Sequence, residues 1–142
     1  MKVVVCVKQV PEITDVKVNP ETGTLVREGI ASILNPFCEY ALDHAANLKS
    51  KAPDIEVIAL TMGPPQAKAA LYRCLELGAD RAVLVSDRKF AGADTLATSY
   101  VLAAAIEKLA RAHGTKTIYL PVANLKGHPF HGGVILPVTP LR

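Results

Sequence analysis

Val3-Val4-Val5-Cys6-Val7-Lys8-Gln9-Val10 is the stretch on which the fold turns. Val3 to Val7 are five consecutive β-favouring apolar residues with no polar face. They predict a strand buried on both sides, as at the centre of a parallel sheet with helices above and below. The run breaks at Lys8-Gln9, and Pro11 forbids simple continuation. In open α/β sheets, ligands bind beyond the carboxyl ends of such central strands. Cys6 to Gln9 are therefore expected to form one wall of any site.

Downstream, residues 15–28 alternate like a hairpin, with Val16 and Val18 on one arm and Leu25 on the other. Asn19-Pro20-Glu21-Thr22-Gly23 supplies the turn chemistry between them. Asn35-Pro36-Phe37 is a helix start, a capping side chain followed by proline at the first helical position. Phe37, Tyr40, Ala41, His44, Ala45 and Leu48 then mark one face at helical spacing, and Pro53 closes the segment. Residues 55–60 predict a second strand, ending at Thr61-Met62-Gly63-Pro64-Pro65. The next helix is expected to bury Ala67, Ala70, Leu71, Cys74 and Leu75 and to stop at Gly78. Ala82-Val83-Leu84-Val85 reads as a third strand, and Asp94 caps a long helix with Thr98, Leu102, Ala105, Ile106 and Leu109 inward. Thr117-Ile118-Tyr119-Leu120 is a candidate fourth strand, ended by Pro121. Strands alternating with helices predict right-handed crossovers and an α/β fold, a doubly wound parallel sheet with a hairpin excursion. Residues 1–120 read as one domain and 121–142 as an irregular tail.

The 142 residues suit one domain with a real core, half hydrophobic and a fifth charged. No apolar run approaches the roughly 20 residues needed to cross a bilayer. Met1-Lys2 and its apolar run are too short for a signal peptide, so cytoplasm is the expected compartment. Cys6, Cys38 and Cys74 are odd in number and lie in apolar patterns, which predicts buried thiols rather than a disulfide framework. The net charge of +3 is unevenly spread. Residues 108–142 hold Lys108, Arg111, Lys116, Lys126 and Arg142 and no carboxylate, leaving the first 107 residues at −2.

Several chemistries are weighed and set aside. Asp94, Thr95, Thr98 and Ser99 sit at a helix start, where anions are attracted, but Asp94 would repel a phosphate and capping explains it. His128-Pro129-Phe130-His131 lacks further metal ligands, so no metal site is expected. The basic residues of the tail lack aromatic interleaving, and nucleic acid is not an expected partner. Ser86 and Ser99 have no identifiable partner histidine, so no catalytic side chains are expected. Walker and Rossmann glycine fingerprints are absent.

Four ordered blocks carry a resemblance: Val5 to Pro11, Asn35-Pro36-Phe37-Cys38-Glu39, Thr61 to Gln66 and Leu77 to Ala82. With the turn at 19–23 and Gly92-Ala93-Asp94-Thr95-Leu96-Ala97-Thr98-Ser99, the sequence resembles the β subunit of electron transfer flavoprotein, a family that includes the FixA-type proteins. The resemblance covers roughly residues 1–112. It implies an adenine-nucleotide-binding, Rossmann-like fold with the first strand central. It also implies AMP as a buried ligand, or a second FAD in its place. A partner α subunit would carry most of the FAD surface, and the heterodimer would accept electrons from flavin-dependent dehydrogenases. Such a subunit is an electron carrier in which the flavin supplies the redox chemistry. The nucleotide contacts it implies are Cys6, Val7 and Lys8, then Asn35, Pro36, Phe37 and Cys38, and finally Thr61, Met62 and Gly63.

The family's Gly-x-Gln-Ala-x-Asp-type phosphate loop does not follow the fourth-strand candidate, where Pro121 to Gly127 stand instead. A truncated or replaced C-terminal part is the corresponding expectation. Two rival functions accompany it. One is a stand-alone adenine-nucleotide-binding module resembling universal stress proteins. The other is a non-functional fragment that pairs with itself through an exposed sheet edge.

Overall fold

A strand without a polar face needs a covering layer on each side, and the computed structural model gives Val3 to Val5 that environment. It describes residues 1–12 and 31–112, together with the backbone of 115–117 and 135–140. β1 (Lys2–Cys6) lies third in a five-stranded sheet of order β5-β4-β1-β7-β6. It runs parallel to β4 (Glu56–Met62), from Lys2 opposite Glu56 to Cys6 opposite Leu60. β4 in turn runs parallel to β5 (Arg81–Val85), with Met62 opposite Val85.

Period-two alternation sorts the core into two layers. Val3, Val5, Val57 and Ala59 pack with Cys38, Leu42, Ala45, Ala70 and Cys74 from α1 (Pro36–Lys51) and α2 (Lys68–Glu76). Val4, Ile58 and Leu60 face the other way, against Ile106 and Ala110 of α3 (Thr95–Arg111). Val3, Val4 and Val5 are at most 1% exposed.

The expected α/β sheet with parallel strands is present, but the whole sheet is mixed. β7 (Ile135–Pro140) runs antiparallel to β1, with Val5 opposite Ile135, and β6 (Thr115–Thr117) runs antiparallel to β7. The stretch expected to be an irregular tail therefore contributes a strand beside the central one. Its sequence argued against this, because Pro137 and Pro140 have no N–H to give to a ladder. The candidate strand at 118–120 lies outside the described residues.

Local chemistry sets the helix ends. The Asn35 side chain accepts a 2.9 Å hydrogen bond from Phe37 N, and Pro36 opens α1. A 3-10 turn (Pro65–Ala67) leads into α2. Gly78, at φ +101°, ends α2 in a left-handed turn. There Ala79 N donates to Cys74 O at 3.0 Å and Gly78 N to Leu75 O at 3.1 Å, a Schellman arrangement that glycine alone adopts without strain. Asp94 caps α3 by accepting from Ala97 N at 2.8 Å. A two-stranded antiparallel pair, β2 (Gln9–Pro11) with β3 (Ser32–Leu34), closes the base of the excursion. The hairpin expected at 15–28 lies outside the described residues.

The inward face of α1 needs correction. Cys38, Leu42 and Ala45 are buried, with Ala41 and Leu48 partly so, whereas Phe37, Tyr40 and His44 are exposed. Phasing the helix on its aromatic residues rotates the stripe away from Cys38, Leu42 and Ala45, the residues that pack with the valines of β1. Leu75 of α2 is likewise 39% exposed rather than buried.

Charged pairs stitch the amino end of the sheet. Glu56 pairs with Lys2 and, at 3.3 Å, with Arg81. Asp80 takes an ion pair from Lys49 and a 2.8 Å hydrogen bond from Val57 N. The Lys49 hydrogen bond first, and then that of Val57, hold the Asp80 carboxyl below its ordinary range.

Two predictions follow from this packing. Leu42→Ala should lower unfolding stability by about 2–5 kcal/mol, while Tyr40→Ala stays within about 0.5 kcal/mol; urea denaturation of the two variants checks the helix phase. A depressed carboxyl stabilises the fold above its unfolded value near pH 4 and loses that contribution as pH falls through its folded value. Asp80→Asn should therefore be less stable than the parent at pH 7, and the gap should narrow below about pH 4, as urea midpoints across pH would show.

Candidate functional site

β1, β4 and β5 are parallel, so their carboxyl ends share one side of the sheet. The helix layers cover its faces. Backbone hydrogen bonds tie the ends together there. Val7 N donates to Leu60 O at 2.8 Å, and Gly63 N donates to Val85 O at 3.1 Å. Asn35 N donates to Lys8 O at 3.0 Å, which brings the start of α1 to the end of β1. The three sequence-distant blocks around Cys6, Asn35 and Thr61 thus converge at one sheet edge.

The ten residues singled out divide by exposure. Val7, Asn35, Cys38 and Thr61 are buried. Val7 and Cys38 belong to the core layer under α1. Asn35 spends its side-chain oxygen on the helix cap. Cys6, Met62 and Gly63 are half-buried, while Lys8, Pro36 and Phe37 are exposed. Lys8, Pro36 and Phe37 are thus open to solvent, Cys6, Met62 and Gly63 partly so, and the other four are not. Gly63 has a packing reason as well: a Cβ there would lie 3.2 Å from the Ala67 Cβ, so a side chain would push against the 3-10 turn.

Sequence reasoning missed the end of β5. The Gly63–Val85 hydrogen bond brings Val85 and the Ser86-Asp87 segment beside the Thr61–Gly63 loop. Their only sequence signal was the position of 82–85 as a third strand. A cavity of about 290 Å³ near the start of α1 is lined by Pro36 and Glu39 of that helix and by residues of β3 and α2.

Among the described residues, no cluster of three or more His, Cys, Asp or Glu is placed to hold a metal ion. None of the three cysteines is in a disulfide. Burial, with the neighbouring Cys38 adding to it, pushes the Cys6 thiol up to about 11. Burial and Cys38 also push Cys74 up to about 12. Both are neutral thiols at pH 7, unsuited to nucleophilic work. The Cys6 thiolate fraction should be roughly a hundredfold below that of an unperturbed thiol. A thiol–disulfide reagent at pH 7.5 should therefore label the native chain slowly and the urea-unfolded chain quickly. Fast native labelling that Cys6→Ser abolishes would contradict the burial assigned to Cys6.

The chain has known relatives. Residues 22–119 match the electron transfer flavoprotein domain model. Over 109 residues the chain is 55% identical to subunit CarD of the caffeyl-CoA reductase-Etf complex of Acetobacterium woodii, covering 77% of this chain and 42% of that protein. It is 53% identical to the electron transfer flavoprotein subunit beta of Clostridium acetobutylicum, with 77% and 42% covered. It is 52% identical to protein FixA of Azotobacter vinelandii, with 77% and 38% covered. The chain thus spans about two-fifths of the length of these curated relatives. With a domain match over most of its length and more than half of the 109 aligned residues identical in such relatives, the chain belongs to the electron transfer flavoprotein family and matches the N-terminal part of its FixA-type β subunits.

Proposed function

We propose that this chain is the nucleotide-binding part of an electron transfer flavoprotein β subunit, acting in the cytoplasm and binding AMP, or FAD in its place, at the carboxyl edge of β1 and β4. The observation that carries this reading is the convergence of Cys6–Lys8, Asn35–Cys38 and Thr61–Gly63, held by the Val7–Leu60 and Asn35–Lys8 backbone bonds. We further read the two helix layers as a doubly wound, Rossmann-like arrangement. In this reading residues 1–120 form the nucleotide-binding domain and β7 adds to its sheet.

The residues fit an adenine nucleotide by type. Met62 offers a half-buried, adaptable apolar surface for the adenine face. Backbone groups beyond the ends of β1 and β4 provide hydrogen-bonding partners for its edge. Lys8 is an exposed cation suited to a phosphate, and Phe37 can shield the ligand from water. The neutral Cys6 thiol adds no charge beside the base. Asn35 contributes by fixing where α1 begins, and so where Phe37 stands.

Electron transfer is the chemistry a bound flavin supplies. The contribution of this chain is to bind, orient and exclude solvent. An α subunit of electron transfer flavoprotein is the proposed partner, and flavin-dependent dehydrogenases are the proposed donors to the pair. Support comes from the family membership and from relatives named as electron transfer flavoprotein subunits or as part of an Etf complex.

Calorimetric titration of the purified chain with AMP tests the binding. One-to-one saturable binding is expected, and Met62→Arg should weaken it by about tenfold or more with the fold intact. Absence of binding by a folded chain, or unchanged affinity in the variant, would remove the proposed cradle. Co-expression with an α subunit should give a yellow heterodimer; repeated failure to copurify would count against the pairing.

A further inference from the structure

Two polar residues are buried among the described ones, Asn35 at 6% and Thr61 at 2% exposure, and both stand at the carboxyl edge. Asn35 spends Oδ1 on the Phe37 N–H, and its Nδ2 has no hydrogen-bond partner among the described residues. The Thr61 hydroxyl likewise has none there. Every fully enclosed side-chain oxygen or nitrogen among the described residues is hydrogen-bonded. The small exposure that Asn35 and Thr61 retain therefore includes these two atoms. Polar atoms held with so little water and no partner are costly, and a ligand that pairs with them relieves that cost.

The continuation of β1 brings the two together. With Cys6 opposite Leu60, Val7 falls beside Thr61. The next residue, Lys8, accepts through its carbonyl from Asn35 N at 3.0 Å. Alternation sets Thr61 on the sheet face of Val57 and Ala59, which α1 covers, and Asn35 caps α1. We propose that Asn35 Nδ2 and Thr61 Oγ1 read the edge of adenine that carries ring nitrogen N1 and the 6-amino group, and so select a 6-aminopurine nucleotide against a 6-oxopurine one. The assignment rests on the nucleotide reading and places the base at the inner end of that site.

The helix cap fixes the sense of the Asn35 contact. With Oδ1 held at 2.9 Å by Phe37 N, the side chain offers a ligand its amide N–H groups, and so acts as a donor. Adenine presents an acceptor at N1 beside the donor of its 6-amino group. Hypoxanthine presents N1–H beside a carbonyl oxygen. Thr61 can accept from the amine or donate to the carbonyl, so it tolerates either base. Asn35 does not, because two donors meet at N1–H and neither is satisfied. A base also suits this depth better than a phosphate does. Asn35 and Thr61 are neutral and nearly enclosed, where a phosphate dianion would lose its water without gaining a counter-charge. Lys8 is exposed and can meet that charge outside.

Calorimetric titration of the full chain with AMP and with inosine 5′-monophosphate reads the selectivity, since sugar and phosphate are the same in both. AMP should bind about tenfold more tightly or better. Asn35→Asp keeps a capping oxygen but replaces the donor by an acceptor. In that variant the affinity ratio of AMP to inosine monophosphate should fall to about one or invert; a general effect of the added charge on the phosphate cancels in the ratio. Thr61→Val should weaken both nucleotides about tenfold, and Thr61→Ser, which keeps a hydroxyl, should bind both as the parent does. Circular dichroism checks each fold, and should Thr61→Val fail to fold, Asn35→Asp carries the test. Equal affinity of the parent for the two nucleotides overturns the assignment and leaves the nucleotide reading in place. So does an unchanged ratio in folded Asn35→Asp, or unchanged affinity in folded Thr61→Val, the results expected if water alone satisfies these atoms. Failure of the folded parent to bind either nucleotide removes the nucleotide reading, and this assignment with it.

Discussion

Two-sided burial of Val3, Val4 and Val5 is the constraint on which the remaining architecture depends. These side chains alternate across the sheet, so each face must present apolar surface to a helix layer. α1 and α2 supply one layer and α3 the other. Once both faces are covered, the ends of the strands remain as places where backbone can meet a ligand. Function is thereby directed to an edge of the sheet, and the parallel sense of β1, β4 and β5 makes it a common edge.

The two ends of the sheet are held differently. At the amino end, Met1 pairs with Asp54, Lys2 and Arg81 with Glu56, and Lys49 with Asp80. Isolated surface pairs of this kind contribute little one by one. Asp80 adds more because it also accepts from the Val57 backbone and so links α1 to the start of β4. At the carboxyl end, backbone hydrogen bonds to Leu60, Lys8 and Val85 join the strand ends, and the Gln9 side chain donates to Gln66 O at 3.4 Å. Lys8 and Phe37 are exposed there.

Much of this was legible in sequence where the signal was local and strong. The valine run of β1, the Asn35-Pro36 helix start, the Gly78 stop and the Asp94 cap all rest on interactions within a few residues. Their structural partners are near neighbours in the chain. The rotation of α1 was not legible in the same way. Aromatic residues carry the largest hydrophobic signal, yet the space over β1 admits Cys38, Leu42 and Ala45 and leaves Phe37 and Tyr40 outside. The candidate site was legible as blocks but not as a division of labour. Only burial separates Val7 and Cys38, which hold the core, from Lys8 and Met62, which face the edge.

By itself the sequence determined the α/β class, the central place of β1, most helix boundaries and, through ordered motifs, the family. Each of these follows from residue periodicity, capping chemistry or direct similarity. The tertiary structure decided the strand order and the antiparallel β7 beside β1. It also decided which members of each motif reach the surface. The physical reason is that long-range pairing and packing compete for the same apolar surface. A strand bearing Pro137 and Pro140 has weak local propensity, yet in the sheet it completes the pairing of β1.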